Sequence, residues 1–596
     1  MCGIVALLGK YEINTIITCL KQLQNRGYDS AGLSLLYYNK ENFKIYKKLH
    51  KDSITKLEHI TFQLGNESNE SNNLIKNSIS HTRWATHGGI TENNCHPHIS
   101  NNKQICLVHN GILENYNELK TMLINNGYSF YSDTDTEVIV NLIEFYIINN
   151  NYNKLEKAIE QALSKCEGTW GLVIQIINEP NVLYAVRKGS PLLLGKNKDY
   201  IIITSESSGF NNLVDSYIEL TTHKVYKIDY NNIIKQNFIN HELDKPIRKL
   251  SLNVTYDKGT FEHWTLKEIY DQNNIINKIT NNGAILQKID EFNKKVYFGG
   301  LSPNKTIINK CDNIILLGCG TSFNACCFAK SFFYELCNFN CIICIDACNF
   351  DYKDIPKNST NAFIFVSQSG ETKDLYEILQ KVNGFKIGVI NVVDSLIARS
   401  VNCGVYLNIG KEFSVASTKA FTAQSLILIL IAISLSTDTN KINNYINDFQ
   451  QLQNLINIEL NRELFINENQ LLKYKNGFVL GNNNLNIIGN EFSLKLKEIT
   501  YMHIESLSFN SLKHGPLALV SENDFICILL GESESVKQEI LARDGNIINL
   551  NINQNSNNLF NDILYIIQLQ RLSYHLSVLK GYNPDFPRNL AKVVTV

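Results

Sequence analysis

The chain has 596 residues, too many for one hydrophobic core, so two to four domains are expected. Hydrophobic residues make up 44% and charged residues 19%, the balance of an ordinary water-soluble globular protein. The formal net charge is −1 and no long basic block occurs, which excludes the electrostatic footprint of a nucleic-acid binder.

The 15 cysteines are scattered and odd in number, and no secretory segment precedes them. Reduced thiols in a cytoplasmic protein are therefore expected. The longest apolar run, 425–436 (SLILILIAISLS), falls short of the roughly 20 residues that span a bilayer, and it predicts a buried helix.

Cys2-Gly3-Ile4 opens an apolar run, CGIVALLG, that predicts a strand. Removal of Met1, which a side chain as small as that of Cys2 permits, would set the thiol beside the chain's own α-amine. Such an amine titrates near ~7.7–8.0 and a free thiol near ~8.5. The amine can thus take the thiol's proton without a borrowed histidine. The plainer reading is a cysteine that simply begins a buried strand.

Through residue 240, strand-like runs at 2–8, 33–38, 171–177 and 200–204 alternate with helical periodicity at 14–24, 116–125 and 136–149. The pattern predicts two sheets with helices outside them. Three polar clusters interrupt it: 25–32 (NRGYDSAG), 81–88 (HTRWATHG), and His109-Asn110-Gly111-Ile112 followed by 132–137 (SDTDTE). Alone, Asn110-Gly111 is a turn dipeptide. Cys95-His96-Pro97-His98, with His81, His87 and His109 near it in sequence, carries donors suited to zinc.

In this order and together with Cys2, the motifs resemble the class II glutamine amidotransferases, the N-terminal-nucleophile family. The resemblance implies an α+β sandwich over 2–240 in which the Cys2 thiolate attacks the side-chain amide of glutamine and releases ammonia. It implies that Asn110, through its amide, and Gly111, through its backbone N–H, form the oxyanion hole. Arg83 would hold the substrate carboxylate and Asp135 its ammonium, with Thr86 and His87 as pocket wall and Trp84 as a lid. Zinc has no place in that arrangement.

Residues 218–228 look strand-like, and the chain then becomes polar and irregular, with Pro246 and Arg248, which predicts a linker at 241–252. The run 263–272 (HWTLKEIYDQ) begins a helix and is similar to the junction of one subgroup of these amidotransferases.

In the second half, a buried strand at 313–317 ends in Gly318-Cys319-Gly320-Thr321-Ser322 before a helix through Leu336. Strands at 341–346 and 362–366 follow, the latter ending in Ser367-Gln368-Ser369-Gly370-Glu371-Thr372 before another helix. A weaker echo has strands at 477–480 and 525–530, helices from about Asn490 and after the loop 531–535. One α/β unit used twice is predicted, over 253–450 and 451–580, each a parallel sheet flanked by helices. Cys341 and Cys344 form a CxxC, but strand positions i and i+3 face opposite sides, so core packing is the better reading.

Ser367, Gln368, Ser369 and Thr372 at a helix N-terminus suit a dianion, although the plainer reading is a helix cap. Thr321 and Ser322, after the neighbouring strand, favour phosphate. Glu491, Lys495 and Glu498 stand at i, i+4 and i+7, one helix face that, if exposed, would be an ordinary salt-bridged surface. Leu512-Lys513-His514-Gly515-Pro516 follows, and the apolar tail at 581–596 carries Lys592, which suggests that it docks.

These features resemble the sugar isomerase (SIS) fold, as does 412–422 (EFSVASTKAFT), where the resemblance brings Val415 and Ser417 to the substrate. Joined, the two resemblances imply L-glutamine and D-fructose 6-phosphate as substrates and D-glucosamine 6-phosphate as product, on the way to UDP-N-acetylglucosamine. His514 would open the sugar ring, Lys592 form a Schiff base at C2, and Glu498 move a proton between C1 and C2, with Glu491 and Lys495 at the sugar site. No metal or organic cofactor is implied. A homodimer through the SIS half is, with His514 serving the neighbouring subunit. The sequence departs from the family's common Ser-Glu-Phe-Arg-Tyr at Cys348-Asn349-Phe350-Asp351-Tyr352, and from its usual Glu at Ser511. The rival reading, a sugar-phosphate-sensing regulatory protein with a vestigial glutaminase domain, would need neither Cys2 nor Lys592.

Overall fold

Gly3–Gly9 is buried at every residue because it runs through the middle of an eight-stranded antiparallel sheet, between Tyr200–Thr204 and Lys76–Arg83. The computed structural model describes residues 2–24, 27, 29–37, 42–50, 52–66, 76–83, 89–149, 155–235, 247–249, 258–393, 395–464, 468–521, 524–550 and 558–592. The chain forms two compact units, 1–257 and 258–595.

In the first unit the eight-stranded sheet runs Arg248–Lys249, Ser216–Glu219, Leu193–Lys196, Tyr200–Thr204, Gly3–Gly9, Lys76–Arg83, Ser30–Tyr37, Lys44–Leu49. A five-stranded sheet runs Tyr226–Asp229, Val182–Lys188, Gly168–Ile176, Ile105–Leu113, His98–Ile99. Side chains alternate faces along a strand, and the first strand uses both. Ile4, Ala6 and Leu8 pack against Cys106, Val108, Val173 and Ala185 of the other sheet. Val5 and Leu7 pack outward with Ile16, Ile17 and Leu57 of the helices Asn14–Lys21 and Ser53–Asn66. The second sheet turns Leu107, Leu172 and Ile174 towards the helices Tyr116–Asn125, Asp135–Asn149 and Leu155–Leu163. The layers are helix, sheet, sheet, helix.

Two expectations need correction. The run 218–228 is two strands, Ser216–Glu219 in the first sheet and Tyr226–Asp229 in the second, joined by a crossover with His223 at φ 63°. The expected linker at 241–252 supplies Arg248–Lys249, which pairs with Ser216 and Tyr217 as an edge strand.

The second unit holds two parallel sheets of one topology. The first runs Cys341–Asp346, Asn313–Gly318, Asn361–Ser367, Phe385–Ile390, Cys403–Tyr406. The second runs His503–Ser508, Asn476–Gly481, Phe525–Leu530, Asn546–Leu550. In both, the second strand lies outside the first, and the third and fourth follow on the other side. The backbone before the first helix also repeats: Gly320 at φ 53°, ψ −122° and Asn483 at φ 51°, ψ −127°. Glycine takes positive φ freely and asparagine tolerates it. The helix of the second copy therefore starts at Asn484, six residues before the expected Asn490.

The run at 425–436 belongs to the helix Lys419–Leu435, buried at all 17 positions within a core that both sheets share. The expected division at 450 falls inside the helix Thr439–Asn461. Among the described residues no helix is long and apolar enough to cross a membrane. Ile429 is wholly buried in that core. Ile429→Ala is expected to lower the stability of the second unit by about 2–5 kcal/mol, read from its urea unfolding midpoint in the full chain.

Candidate functional site

Cys2 stands at the start of the central strand, where the Gly3 N–H donates to Thr82 Oγ1 (3.0 Å) and the Ile4 N–H to Ser205 Oγ (3.1 Å). Asn110-Gly111 is not a turn but lies within the strand Ile105–Leu113. Asn110 Nδ2 donates to the Cys2 carbonyl at 2.9 Å. The amide is turned that way from behind. His81 Nε2 lies 3.0 Å from the His109 carbonyl and 3.1 Å from Asn110 Oδ1, and since both oxygens accept, Nε2 carries the proton. Gly111 has φ 140°, and a Cβ there would lie 2.1 Å from the Thr169 carbonyl oxygen.

Arg83, buried at the end of its strand, donates from Nη1 to the Gly89 carbonyl at 3.2 Å. Asp135 begins the helix Asp135–Asn149 and accepts from the Leu113 N–H at 2.8 Å, two residues beyond Gly111. The structure thus brings Cys2, Asn110 and the strand of Gly111 together. Trp84, Thr86 and His87 lie outside the described residues.

The neighbouring histidines form a buried, uncharged network. His81 stacks on His96 with ring centroids 4.0 Å apart, and His96 meets His98 edge-on at 4.8 Å. The Thr136 hydroxyl lies 3.0 Å from His109 Nδ1 and 3.4 Å from His96 Nε2, and the Thr134 hydroxyl 3.1 Å from His98 Nε2. Threonines, then, hold the nitrogens that zinc would have needed at Cys95-His96-Pro97-His98. Burial pushes the pKa of His81 down to about 3 and those of His96 and His98 well below the ordinary value. It also lowers that of His109, against the opposing charge of Asp135.

In the second unit the tail is fastened before it reaches Lys592. Asp585 accepts from the Trp264 N–H (2.8 Å), the Thr265 N–H (2.7 Å) and the Thr265 hydroxyl (2.8 Å). Arg588 lies over the Tyr501 ring at 4.1 Å. Lys592 Nζ then donates to Glu412 Oε2 at 2.5 Å and to Ser417 Oγ at 3.0 Å. Burial acts to raise the pKa of Glu412, but Lys592 and the Thr418 N–H outweigh it and hold the carboxyl below its ordinary value. Val415, next in the same loop, donates its N–H to the Asp585 carbonyl at 3.1 Å.

Glu491 and Lys495 are buried, and Glu498, partly buried, reaches the same lysine. Lys495 Nζ lies 2.5 Å from Glu498 and 3.5 Å from Glu491. Burial works against the ammonium, yet the two carboxylates win and raise its pKa. Glu498 sits in a π-helical turn, Leu496–Thr500, that continues the helix Asn484–Lys495. Thr321 joins this group, donating to Glu491 Oε1 (3.0 Å) and accepting from Lys495 (3.2 Å). Ser322 Oγ accepts from Gln424 at 3.0 Å.

The hydroxyls at 367–372 form a separate cluster. Ser367 Oγ accepts from the Gly370 N–H (2.9 Å) and meets Thr372 Oγ1 at 3.0 Å, and Ser369 Oγ accepts from the Glu371 N–H (3.1 Å). Thr372, the N-cap of the helix Lys373–Lys381, makes no side-chain cap bond, so the simple capping reading fails. Gln368 is half-buried beside them. His514 is exposed, and among the described residues its imidazole has no hydrogen-bond partner.

Three residues escaped the sequence reading: His81, Glu412 and Glu268. Glu268 accepts from the N–H groups of Phe413 and of Ser414 (3.3 Å for the latter). Burial first, and then the charge of Glu412, push its pKa up to about 8. The charges in 412–422 and 263–272 were visible, but their burial was not.

The glutamine amidotransferase domain family matches residues 81–212 and the SIS domain family residues 307–434. The chain is 36% identical to a probable glutamine–fructose-6-phosphate aminotransferase (isomerizing) of Acanthamoeba polyphaga mimivirus, covering 100% of both chains. It is 35% and 32% identical, again over 100% of both chains, to the glutamine–fructose-6-phosphate aminotransferases (isomerizing) of Buchnera aphidicola subsp. Baizongia pistaciae and Chlorobaculum tepidum.

The histidine network fixes a pH response. Each imidazole binds its proton less well folded than unfolded, so on acidification the unfolded chain gains protons first. Stability is full above the unfolded value of about 6.5 and is lost as pH falls through it towards the folded values. Amide hydrogen exchange in Gly3–Gly9 should accordingly lose protection between about pH 7 and pH 5, before most carboxylates titrate.

Proposed function

The chain belongs to the glutamine–fructose-6-phosphate aminotransferase (isomerizing) family, and from that premise we propose that it transfers the amide nitrogen of L-glutamine to D-fructose 6-phosphate and isomerises the product to D-glucosamine 6-phosphate. The carrying observation is Lys592, an amine brought by a docked tail into contact with Glu412 and Ser417.

In the glutaminase half, removal of Met1 frees the amine that takes the Cys2 proton. The thiolate attacks the glutamine amide carbon, and the developing oxyanion is received by Asn110 Nδ2 and the Gly111 N–H. His81 supports this by holding Asn110 Oδ1, so the NH₂ end faces Cys2. A single oxyanion donor is commonly worth about 10²–10³ in rate. Arg83 holds the substrate carboxylate and Asp135 its ammonium, with Trp84, Thr86 and His87 closing the pocket.

In the sugar half, Ser367, Gln368, Ser369 and Thr372 hold the phosphate. Lys592, seated between Glu412 and Ser417, adds to the C2 carbonyl of the opened ketose as the neutral amine, having given up its proton. Loss of water gives an imine, and ammonia delivered inside the protein displaces the lysine at C2. Glu498, held by Lys495 at 2.5 Å, then carries a proton from C1 to C2, which converts the ketose imine into the aldose amine. Val415, Ser417, Thr321, Ser322 and Glu491 frame the site. We place the enzyme in the cytoplasm, as a homodimer through the second unit in which the exposed His514 opens the ring in the neighbouring subunit's site.

Incubated with glutamine and fructose 6-phosphate, the purified protein should yield glutamate and glucosamine 6-phosphate, and Cys2→Ala should yield neither. Lys592→Ala should keep glutamine hydrolysis but make no amino sugar, and borohydride should trap the sugar on Lys592 of the wild type. Absence of amino sugar from the wild type would leave the regulatory reading. If His514 serves the partner's site, mixed dimers of Lys592→Ala and His514→Ala chains should regain synthase activity that neither variant has alone. An active monomer in sedimentation would reject the shared site.

A further inference from the structure

Apart from the residues already assigned, the first sheet of the second unit gathers soft and hard donors at its carboxyl edge. Cys319, Asp346 and Cys348 each present one donor atom, and the three atoms lie within 4.8 Å of one another. Their meeting follows from the topology. Gly318 and Asp346 are partners at the ends of adjacent parallel strands, so Cys319 and Asp346 leave the sheet side by side. The Asp346 carboxylate accepts from the Cys348 N–H at 3.2 Å and holds the short 3₁₀ turn Ala347–Asn349, which folds the Cys348 thiol back over the edge.

A fourth donor stands beside Cys348, outside the three-atom group. The Cys348 thiol points to Asp374 Oδ2 at 3.7 Å, in the first turn of the helix Lys373–Lys381. Two sulfurs and two carboxylates thus come from three successive strand–helix connections. Cys319, Asp346 and Asp374 are half-buried, while Cys348 is exposed and leaves a route for an ion. Cys348 is also a point where the sequence departs from the serine common in the family.

We propose that Cys319, Cys348, Asp346 and Asp374 bind a thiophilic divalent cation, zinc(II). Two thiolates with two carboxylate oxygens are a tetrahedral donor set that zinc accepts and that calcium or magnesium, which prefer oxygen alone, do not. Binding replaces the two S–H bonds by two S–Zn bonds and releases two protons, with no change of oxidation state. Without a cation the same groups repel charge. A cation among Cys319, Asp346 and Cys348 would satisfy one carboxylate and both sulfurs at once, with Asp374 reached through a small side-chain shift beside Cys348. Cys341 and Cys344, the pair visible as CxxC, have no part in it.

Cobalt(II), which reports thiolate ligation and tetrahedral geometry by its absorption, is the probe. Added to the full chain under reducing, oxygen-free conditions, it should give a thiolate charge-transfer band and tetrahedral visible bands at one equivalent, bleached by zinc(II) and not by magnesium(II). Cys348→Ser, exposed and nearly isosteric, should remove that equivalent. Asp374→Asn should weaken it by about 10–100-fold, the loss typical of a disturbed ligand environment. Should Cys348→Ser fail to fold, the Asp374→Asn arm decides alone. Cobalt spectra and zinc affinity unchanged in these variants would overturn the proposal. So would a Cys319–Cys348 disulfide persisting under the reducing conditions.

Discussion

An amine taken out of water must meet its counterion where it lands, and the second unit is built around that demand at Lys592. Glu412 supplies the charge, and its own second oxygen is held by the N–H groups of Thr418 (3.0 Å) and Ala420 (3.2 Å) at the start of the central buried helix. Burial and the charge of Glu412 raise the pKa of the nearby Glu268, which disfavours a second charge beside the pair. Breaking one member of such a buried pair leaves the other stranded, which is costlier than the pair is stabilising. The tail is correspondingly overdetermined, with Asp585 and Arg588 fastened before the lysine is reached.

The duplicated sheets show how one backbone can carry different chemistry. Each copy has the same strand order and nearly the same dihedrals before its first helix. The first copy places hydroxyls and thiols at its carboxyl edge, while the second carries an acid–base–acid face on the latter half of its first helix and the turn that follows. Thr321 links them, as a first-copy hydroxyl bonded to second-copy Glu491 and Lys495. Open α/β sheets concentrate ligands at the carboxyl edge, and the second copy meets the first copy's edge with a helix face.

Much of this was legible in the sequence where the signal is local. Tyr116–Asn125, Cys341–Asp346 and Phe525–Leu530 were found at their observed bounds because periodicity and flanking turns agree. Where the fold overrides local pattern, the reading failed. The run 218–228 has enough β-branched and aromatic residues to read as one strand, yet its halves belong to different sheets, which only long-range pairing decides. Asn483 does the work of a glycine without looking like one, so the helix after it was placed late. Glu491, Lys495 and Glu498 had the spacing of a solvated surface, and their burial depends on a helix from the other copy. His81 was read as part of a motif. Its role in turning Asn110 required the distance to a residue 29 positions away.

The π-turn at Leu496–Thr500 puts a constraint on chain length that no side-chain substitution reveals. A regular helix advances about 100° per residue, and a widened turn accommodates one residue more than that rhythm allows. Glu498 lies within the surplus, and Tyr501, the seat of Arg588, comes directly after it in a left-handed conformation. Deleting any one residue there would put the carboxylate and the tail's aromatic seat out of phase together. Away from Glu498 and Tyr501, drift in this part of the chain can therefore exchange letters but can hardly change their number.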